Sequence, residues 1–191
     1  MKDIYLAGGC FWGLQKAMSL MDGVVRTECG YANGDPHFVP DYLLVCSGRF
    51  GYVETVKVTY DPGRIGLSKI LKAFFMVIDP TKLNRQGNDV GIQYRTGIYW
   101  TDEDVGSEAV QIAKKVSESF NEFYTELLPL ENFTPAEEYH QYYLDKNPHG
   151  YCHIPACVLE SIAELRCIWH LYPDCIRSPS TVEHVVMCKG V

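Results

Sequence analysis

The segment Val53–Tyr60 constrains the fold of this 191-residue chain more than any other stretch, because its side chains alternate strictly in character. Even-numbered residues are apolar apart from Glu54, and odd-numbered residues after Val53 are threonines and a lysine. A period of two predicts a strand with one face toward the core. Glu54 begins that strand on the same side as Val56, Val58 and Tyr60, so the pattern predicts a carboxyl group next to apolar side chains.

Further strand and helix patterns alternate along the chain. Strands are predicted at residues 4–7, 24–31 and 97–100, with a long loop over residues 32–51. Helices are predicted at residues 11–20 and 67–78, over a stripe from Val105 to Phe123, from the cap-like Thr134-Pro135-Ala136-Glu137, and at residues 158–172. This order predicts an α/β (α+β) two-layer sandwich, a mixed sheet with helices packed on it in a ferredoxin-like plait.

Length and composition set the class of protein. Hydrophobic residues make up 47% and charged residues 21%, values that fit one soluble domain. A formal charge of -7 with no basic run argues against nucleic-acid binding. No apolar stretch is long enough for a membrane span, and the N-terminus does not resemble a signal peptide. We therefore expect a cytoplasmic protein, as a monomer.

Eight cysteines are present, and five of them lie at or beyond position 152. Without a signal peptide, reduced, catalytic or metal-bound cysteines are favoured over a disulfide framework. The chain divides accordingly into a domain over residues 1–155 and a cysteine-rich helical C-terminal extension of the same domain over residues 156–191.

Cys10 follows a short strand and two glycines and precedes a helix. A helix N-terminus offers free N–H groups and a favourable dipole to a thiolate, so this placement predicts a reactive cysteine. The alternative is a small buried apolar residue, since free cysteines are often buried.

Glu54 also has two interpretations. If its face of the strand is buried, desolvation raises the pKa of the carboxyl group, and a protonated carboxyl group is a suitable general acid. Alternatively, Glu54 reaches solvent at the end of the strand and has no chemical role.

Several motifs together resemble one family. GCFWG, GYANG, VCSG, the polar run from Asp79 to Arg95 and YHQxYLxKN are similar to the A-type methionine sulfoxide reductases, the peptide-methionine (S)-S-oxide reductases, in the family's order. The resemblance covers about residues 5–153. It implies an enzyme that reduces methionine S-sulfoxide in proteins, and in the free amino acid as a further candidate substrate, to methionine.

The resemblance also implies roles for individual residues. Cys10 matches the nucleophile that becomes a sulfenic acid, and Glu54 matches the acid that protonates the sulfoxide oxygen. The remaining matches are tyrosines that bind that oxygen, walls of the methyl pocket and an acidic residue that orders the site, namely Tyr42, Tyr94, Phe11, Trp12 and Asp89. For Asp89, a purely structural role in a turn stays open.

Regeneration is implied to need a second thiol. Cys152, in Gly150-Tyr151-Cys152, resembles the resolving cysteine that forms a disulfide with the nucleophile. Thioredoxin, or dithiothreitol in vitro, would then reduce the disulfide, and no bound cofactor or metal is implied. A second interpretation makes Cys152 a bystander.

Two features depart from the family pattern. Tyr52 stands where many relatives have histidine, which puts the pH dependence in doubt. The tail carries Cys157, Cys167, Cys175 and Cys188 with His170 and His184, and three interpretations remain: idle cysteines, a relay with Cys157 as a second resolving cysteine, or a zinc site, which the irregular spacing disfavours.

Two functions other than a reductase are alternatives for this sequence. One is a non-catalytic redox sensor or binding module for oxidised proteins, which the joint presence of Cys10, Glu54, Tyr42 and Tyr94 disfavours. The other is a general disulfide oxidoreductase, which the absence of a Cys-x-x-Cys pair disfavours.

Overall fold

The computed structural model describes residues 1–168, and for residues 165–168 it describes the backbone alone. The strands are β1 Lys2–Ala7, β2 Val24–Ala32, β3 Val53–Tyr60, β4 Arg85–Gln86, β5 Asp89–Val90, β6 Gly97–Trp100, β7 Glu126–Pro129 and β8 Phe133–Pro135. The helices are α1 Phe11–Ser19, α2 Tyr42–Cys46, α3 Leu67–Val77, α4 Glu103–Ser117, α5 Tyr143–Lys146 and α6 Ala156–Ile168. Short 3₁₀ turns occupy Ile92–Tyr94 and Glu138–His140.

Six strands form one sheet in the order β7-β6-β1-β3-β2-β8. The β6–β7 pair is parallel and the other pairs are antiparallel, so the sheet is mixed as predicted. β4 and β5 form a separate two-stranded ribbon. The α/β class is confirmed, and the finer assignment to a ferredoxin-like plait stays a prediction.

Helices cover one face of the sheet and enclose the main core. Apolar side chains from β1, β3 and β6 pack there against α1, α3 and α4, among them Leu6, Val56, Ile98, Phe74 and Ala109. Burial of this surface is the main favourable contribution to folding. The opposite face carries a smaller cluster around Tyr5, Val53 and Tyr99.

β3 has the bounds that its alternation predicts. Val56, Val58 and Tyr60 are buried in the main core, and Glu54 is only 2% exposed. The sequence interpretation that left Glu54 in solvent is therefore wrong, because β3 is an inner strand paired with β1 on one side and β2 on the other.

The prediction that a helix begins at Thr134 is wrong. Thr134 belongs to β8, which pairs with the edge of β2, and only short turns and α5 follow. The side chain of Gln141 holds this segment against β2 instead. Its amide N–H donates to the Cys29 carbonyl oxygen, and its amide oxygen accepts from the Cys29 N–H, both at 2.8 Å. Tyr142 then adopts a positive φ of 51° that breaks the helical path.

Two other boundaries differ from the predictions. The loop at 32–51 contains α2, which Asp41 caps by accepting a hydrogen bond from the Leu44 N–H at 2.7 Å. α4 ends at Ser117, so Phe120 and Phe123 of the predicted stripe lie beyond the helix.

In the C-terminal extension, α6 covers residues 156–168 and buries Ile162 against the core.

Candidate active site

A pocket opens at the junction between β1 and α1, where Gly8 and Gly9 separate the strand from the helix. Gly9 has a φ of +74°, a left-handed conformation that glycine adopts without strain. The pocket holds a cavity of about 100 Å³ and is lined by Cys10, Phe11, Trp12, Tyr42, Glu54, Asp89, Tyr94 and Tyr151. All seven residues assigned to nucleophile, acid, oxygen binding, methyl pocket and site order therefore lie together.

Cys10 occupies the N-cap position of α1 and is 8% exposed. Burial raises the pKa of its thiol, and the nearby Glu54 raises it further, while the Trp12 N–H acts in the opposite direction. The predicted lowering of the Cys10 pKa is therefore wrong for the resting site. Desolvation exceeds the helix-terminus effect here, so the thiol is protonated before substrate arrives.

Glu54 reaches the same corner from β3. Its Oε2 accepts a hydrogen bond from the Phe11 N–H at 3.0 Å, which ties the strand to the first turn of α1. Burial raises the pKa of the carboxyl group to about 8, despite that hydrogen bond, which lowers it. Glu54 therefore holds a proton at neutral pH, as a general acid must.

Tyr42 and Tyr94 reach the pocket from two different segments of the chain. Tyr42 is the first residue of α2, and Tyr94 ends the 3₁₀ turn that follows β5. Burial raises the pKa of both phenols, so both hydroxyl groups stay neutral and can donate hydrogen bonds. These two phenol donors thus share the pocket with the Glu54 carboxylic acid and the Cys10 thiol.

The two aromatic residues after Cys10 differ in exposure. Phe11 is 1% exposed and packs mainly in the core, with its ring 5.9 Å from Tyr31 and 5.1 Å from His140. Trp12 is partly exposed and stacks on Tyr143 at 3.8 Å between ring centroids. Trp12 is therefore the apolar wall that a bound group can reach most directly.

Two supporting residues lack a role in the sequence analysis. His140, 1% exposed, accepts a hydrogen bond through Nδ1 from the Trp12 indole N–H at 3.1 Å. Glu137 accepts from the Tyr42 backbone N–H at 2.9 Å and from the Tyr31 hydroxyl at 2.7 Å. They hold Trp12 and Tyr42, two residues of the pocket lining, in place. His140 is the histidine of the YHQxYLxKN motif, so the motif could have identified it as a site residue.

Asp89 lies on the far side of the pocket. Its Oδ1 accepts a hydrogen bond from the Tyr151 hydroxyl at 3.0 Å, and its Oδ2 lies 3.7 Å from Nδ1 of His153. Tyr151 is a pocket residue that the sequence analysis did not assign. Asp89 therefore connects the pocket to the segment that carries Cys152.

Cys152 is half-buried beside the first turn of α1, outside the pocket lining. A Cβ added at Gly13 would lie 3.1 Å from its Sγ, so the thiol packs against the helix that Cys10 caps. Cys157 is exposed near the start of α6. The side chain of Cys167, and the whole of Cys175, Cys188, His170 and His184, lie outside the described residues.

Tyr52 does not take a place beside Glu54. Its hydroxyl donates to the Phe38 carbonyl oxygen at 2.7 Å, and its ring lies so close to Gly34 that an added Cβ would come within 2.2 Å. Tyr52 therefore stabilises the loop that precedes α2. The close approach of this aromatic ring explains why the second glycine of the GYANG motif, Gly34, carries no side chain.

Within residues 1–168, no group of three histidine, cysteine, aspartate or glutamate side chains is placed to hold a metal ion. In the same part of the chain, no helix is both long and apolar enough to cross a bilayer. The chemistry that the described site offers is that of a thiol, two carboxyl groups and three phenols.

Comparison with known proteins gives one consistent result. Residues 2–165 match the family model described as peptide methionine sulfoxide reductase. The chain is 48% identical over 161 residues to the peptide methionine sulfoxide reductase MsrA of Clostridium acetobutylicum, covering 84% of this chain and 99% of that protein.

Solved structures agree. Mxr1 from Saccharomyces cerevisiae in reduced form superposes with a TM-score of 0.75 at 39% identity, covering 79% of this chain and 89% of that chain. Mxr1 in complex with Trx2 superposes with a TM-score of 0.51 at 25% identity, covering 74% of this chain and 85% of that chain.

Proposed function

Because the chain belongs to the peptide methionine sulfoxide reductase family, an oxidoreductase family, we propose that Cys10 takes the oxygen atom from methionine S-sulfoxide and that Glu54 supplies the proton this transfer needs. The observation that carries the proposal is the meeting of the Cys10 thiol with a protonated, 2% exposed carboxyl group in one pocket.

The first step balances without an external proton. The Cys10 sulfur attacks the sulfoxide sulfur, Glu54 protonates the sulfoxide oxygen, and the hydroxyl group moves to Cys10 as the S–O bond of the substrate breaks. Glu54 recovers a proton from the thiol, so methionine and a Cys10 sulfenic acid are the products. A protonated resting thiol suits this exchange, because its proton is the one that replaces the proton given by Glu54.

Binding is assigned to the rest of the pocket. Tyr42 and Tyr94 donate hydrogen bonds to the sulfoxide oxygen, and Trp12, with a small contribution from Phe11, contacts the methyl group. Asp89 orders the opposite wall through Tyr151. Preorganised donors directed at an oxygen that gains charge favour the transition state over the bound substrate.

Regeneration is assigned to Cys152 and thioredoxin. The position of Cys152 against Gly13 supports attack on a Cys10 sulfenic acid without a long movement of the tail. The complex of the related Mxr1 with Trx2 supports thioredoxin as the reductant. Cys157 is retained as a candidate second resolving cysteine, since it is exposed and lies five residues further along the chain.

A cellular location and an organisation of the chain are also proposed. We propose that the enzyme acts in the cytoplasm, where Cys10 and Cys152 can be returned to thiols after each turnover. We also propose that it acts as a monomer. Residues 156–191 are assigned as an extension of the domain formed by residues 1–155, which the packing of α6 against α1 and α3 supports.

Turnover of a methionine S-sulfoxide peptide with dithiothreitol tests the main proposal. Wild type should form methionine, Cys10→Ser should form none, and Cys29→Ala, which removes another buried thiol outside the pocket, should stay active. No methionine from wild type would refute the activity, and turnover by Cys10→Ser would refute the nucleophile. With thioredoxin instead, Cys152→Ser should stop after one methionine per enzyme.

A further inference from the structure

Asp89, which lines the pocket, and His153 beside it contain buried polar atoms without hydrogen-bond partners. The His153 side chain is 5% exposed and that of Asp89 is 14% exposed. Both ring nitrogens of His153, and Oδ2 of Asp89, make no hydrogen bond, although Nδ1 lies 3.7 Å from that oxygen. An unpaired buried polar group is unfavourable, so such an arrangement calls for an explanation.

The two residues that follow Tyr151 rest against the two glycines that bracket Cys10. A Cβ at Gly9 would lie 3.1 Å from Nε2 of His153, and a Cβ at Gly13 would lie 3.1 Å from Sγ of Cys152. The imidazole thus packs at the residue before Cys10, and the second thiol packs at the residue three positions after it. A proton acceptor and the proposed resolving thiol therefore both lie close to the start of α1, which Cys10 caps.

The reaction between those cysteines needs such an acceptor. Cys152 sulfur forms a bond to Cys10 sulfur while the S–OH bond of the sulfenic acid breaks, so Cys152 is oxidised and Cys10 is reduced. The Cys152 thiol must lose a proton, and the departing hydroxide must gain one to become water. Burial raises the pKa of Cys152, so few molecules hold its thiolate near neutral pH.

We propose that His153, held by Asp89, is the general base for disulfide formation between Cys152 and the Cys10 sulfenic acid. His153 takes the proton from the Cys152 thiol and passes it to the departing hydroxide, which leaves as water. Asp89 stabilises the transient imidazolium across the 3.7 Å gap. This inference rests on the proposed resolving role of Cys152.

The charges around His153 suit a base. Burial lowers the pKa of the imidazole, an effect that Asp89 of β5 partly offsets, so the ring is neutral near pH 7. Tyr151 and Cys152 precede His153 in the chain, and Cys10 follows Gly9, which the imidazole contacts. On the β4 side, the ring packs near Gln86 and Gly87, which do not titrate.

The pH dependence of the wild-type disulfide step tests the proposal directly. Reduced enzyme is mixed with one equivalent of a methionine S-sulfoxide peptide without reductant, and methionine and the Cys10–Cys152 disulfide are followed separately. With a base that is already neutral, the disulfide rate should change by less than about twofold between pH 7 and pH 8. A rise of about tenfold per pH unit in wild type would overturn the proposal, because it would report direct dependence on the Cys152 thiolate.

His153→Gln supplies the second test. At pH 7 its ratio of disulfide rate to methionine-formation rate should be about 100-fold below wild type, and its disulfide rate should rise about tenfold per pH unit. Formation of methionine shows that the variant is folded. His149→Gln is the matched control, because His149 is exposed four residues earlier, and its ratio should equal that of wild type. An unchanged ratio in His153→Gln would refute the proposal.

Failure of the underlying assignment is distinguishable. If Cys152→Ser still forms a disulfide at the wild-type rate, the resolving role itself is wrong, whatever His153 does. If Cys152→Ser accumulates the Cys10 sulfenic acid while His153→Gln behaves as wild type, only the role of His153 is wrong.

Discussion

Replacing Glu54 by glutamine should change how stability depends on pH. Burial raises the pKa of Glu54 from 4.5 to about 8 in the folded chain. A raised folded pKa means that the folded state holds this proton more tightly than the unfolded state does. The resulting stability is fully present below pH 4.5 and is lost as the pH rises toward 8. Glutamine has no such proton to lose.

The size of the effect follows from the pKa difference. One pKa unit corresponds to about 1.4 kcal/mol. Between pH 5 and pH 8, wild type should therefore lose about 3 kcal/mol of unfolding free energy that Glu54→Gln retains. The glutamine oxygen can still accept the hydrogen bond from the Phe11 N–H, which limits other changes.

Urea unfolding at several pH values between 5 and 8 measures the difference. Wild type and Glu54→Gln are compared at each pH, so that other titrating groups, His140 and His153 among them, cancel. Glu118→Gln, at an exposed carboxyl group after α4, is the control and should follow wild type within about 0.5 kcal/mol. A gap between wild type and Glu54→Gln that is the same at pH 5 and pH 8 would refute the buried, protonated carboxyl group.

Four further predictions concern activity and the supporting contacts. The rate of the first methionine formed should be steady below pH 8 and fall above it as Glu54 loses its proton; a rate that is level through pH 9.5 would contradict its role as the acid. His140→Phe should raise KM for a sulfoxide peptide about threefold to tenfold by releasing the Trp12 indole, and an unchanged KM would show that Trp12 needs no anchor. Glu137→Gln should lower the unfolding free energy by about 2 kcal/mol, because hydrogen bonds to Tyr31 and Tyr42 lose their charged acceptor; urea unfolding checks this, and a loss under 0.5 kcal/mol would count against it. Gly13→Ala should slow disulfide formation more than methionine formation, measured in one single-turnover experiment, because its Cβ would press on the Cys152 sulfur; equal slowing would argue that the tail does not react from this position.

Local patterns predicted the elements that position the pocket. The alternation of β3 predicted its bounds and the inward direction of Glu54, and the glycine pair predicted the start of α1 at Phe11. The resemblance to the family then brought together Tyr42, Asp89 and Tyr94, which no local pattern connects to Cys10.

The errors arise where distant parts of the chain decide the outcome. The region after Thr134 has good helix-start chemistry, yet the edge of β2 and the amide of Gln141 hold it in another form, over a separation of 112 residues. The helix terminus, which favours a thiolate at Cys10, is visible in the sequence. Burial and the approach of Glu54, which raise the pKa of Cys10, are not. Contacts such as Glu137 to Tyr42, 95 residues apart, lie equally beyond local patterns.

Trapping the Cys10 sulfenic acid tests the central account most directly. Reduced Cys152→Ser enzyme is given one equivalent of a methionine S-sulfoxide peptide in the presence of dimedone, and the adduct is located by mass spectrometry of digested peptides. The account predicts an adduct on Cys10 in an amount equal to the methionine formed. Methionine formed without a Cys10 adduct, or with the adduct on another cysteine, would contradict it.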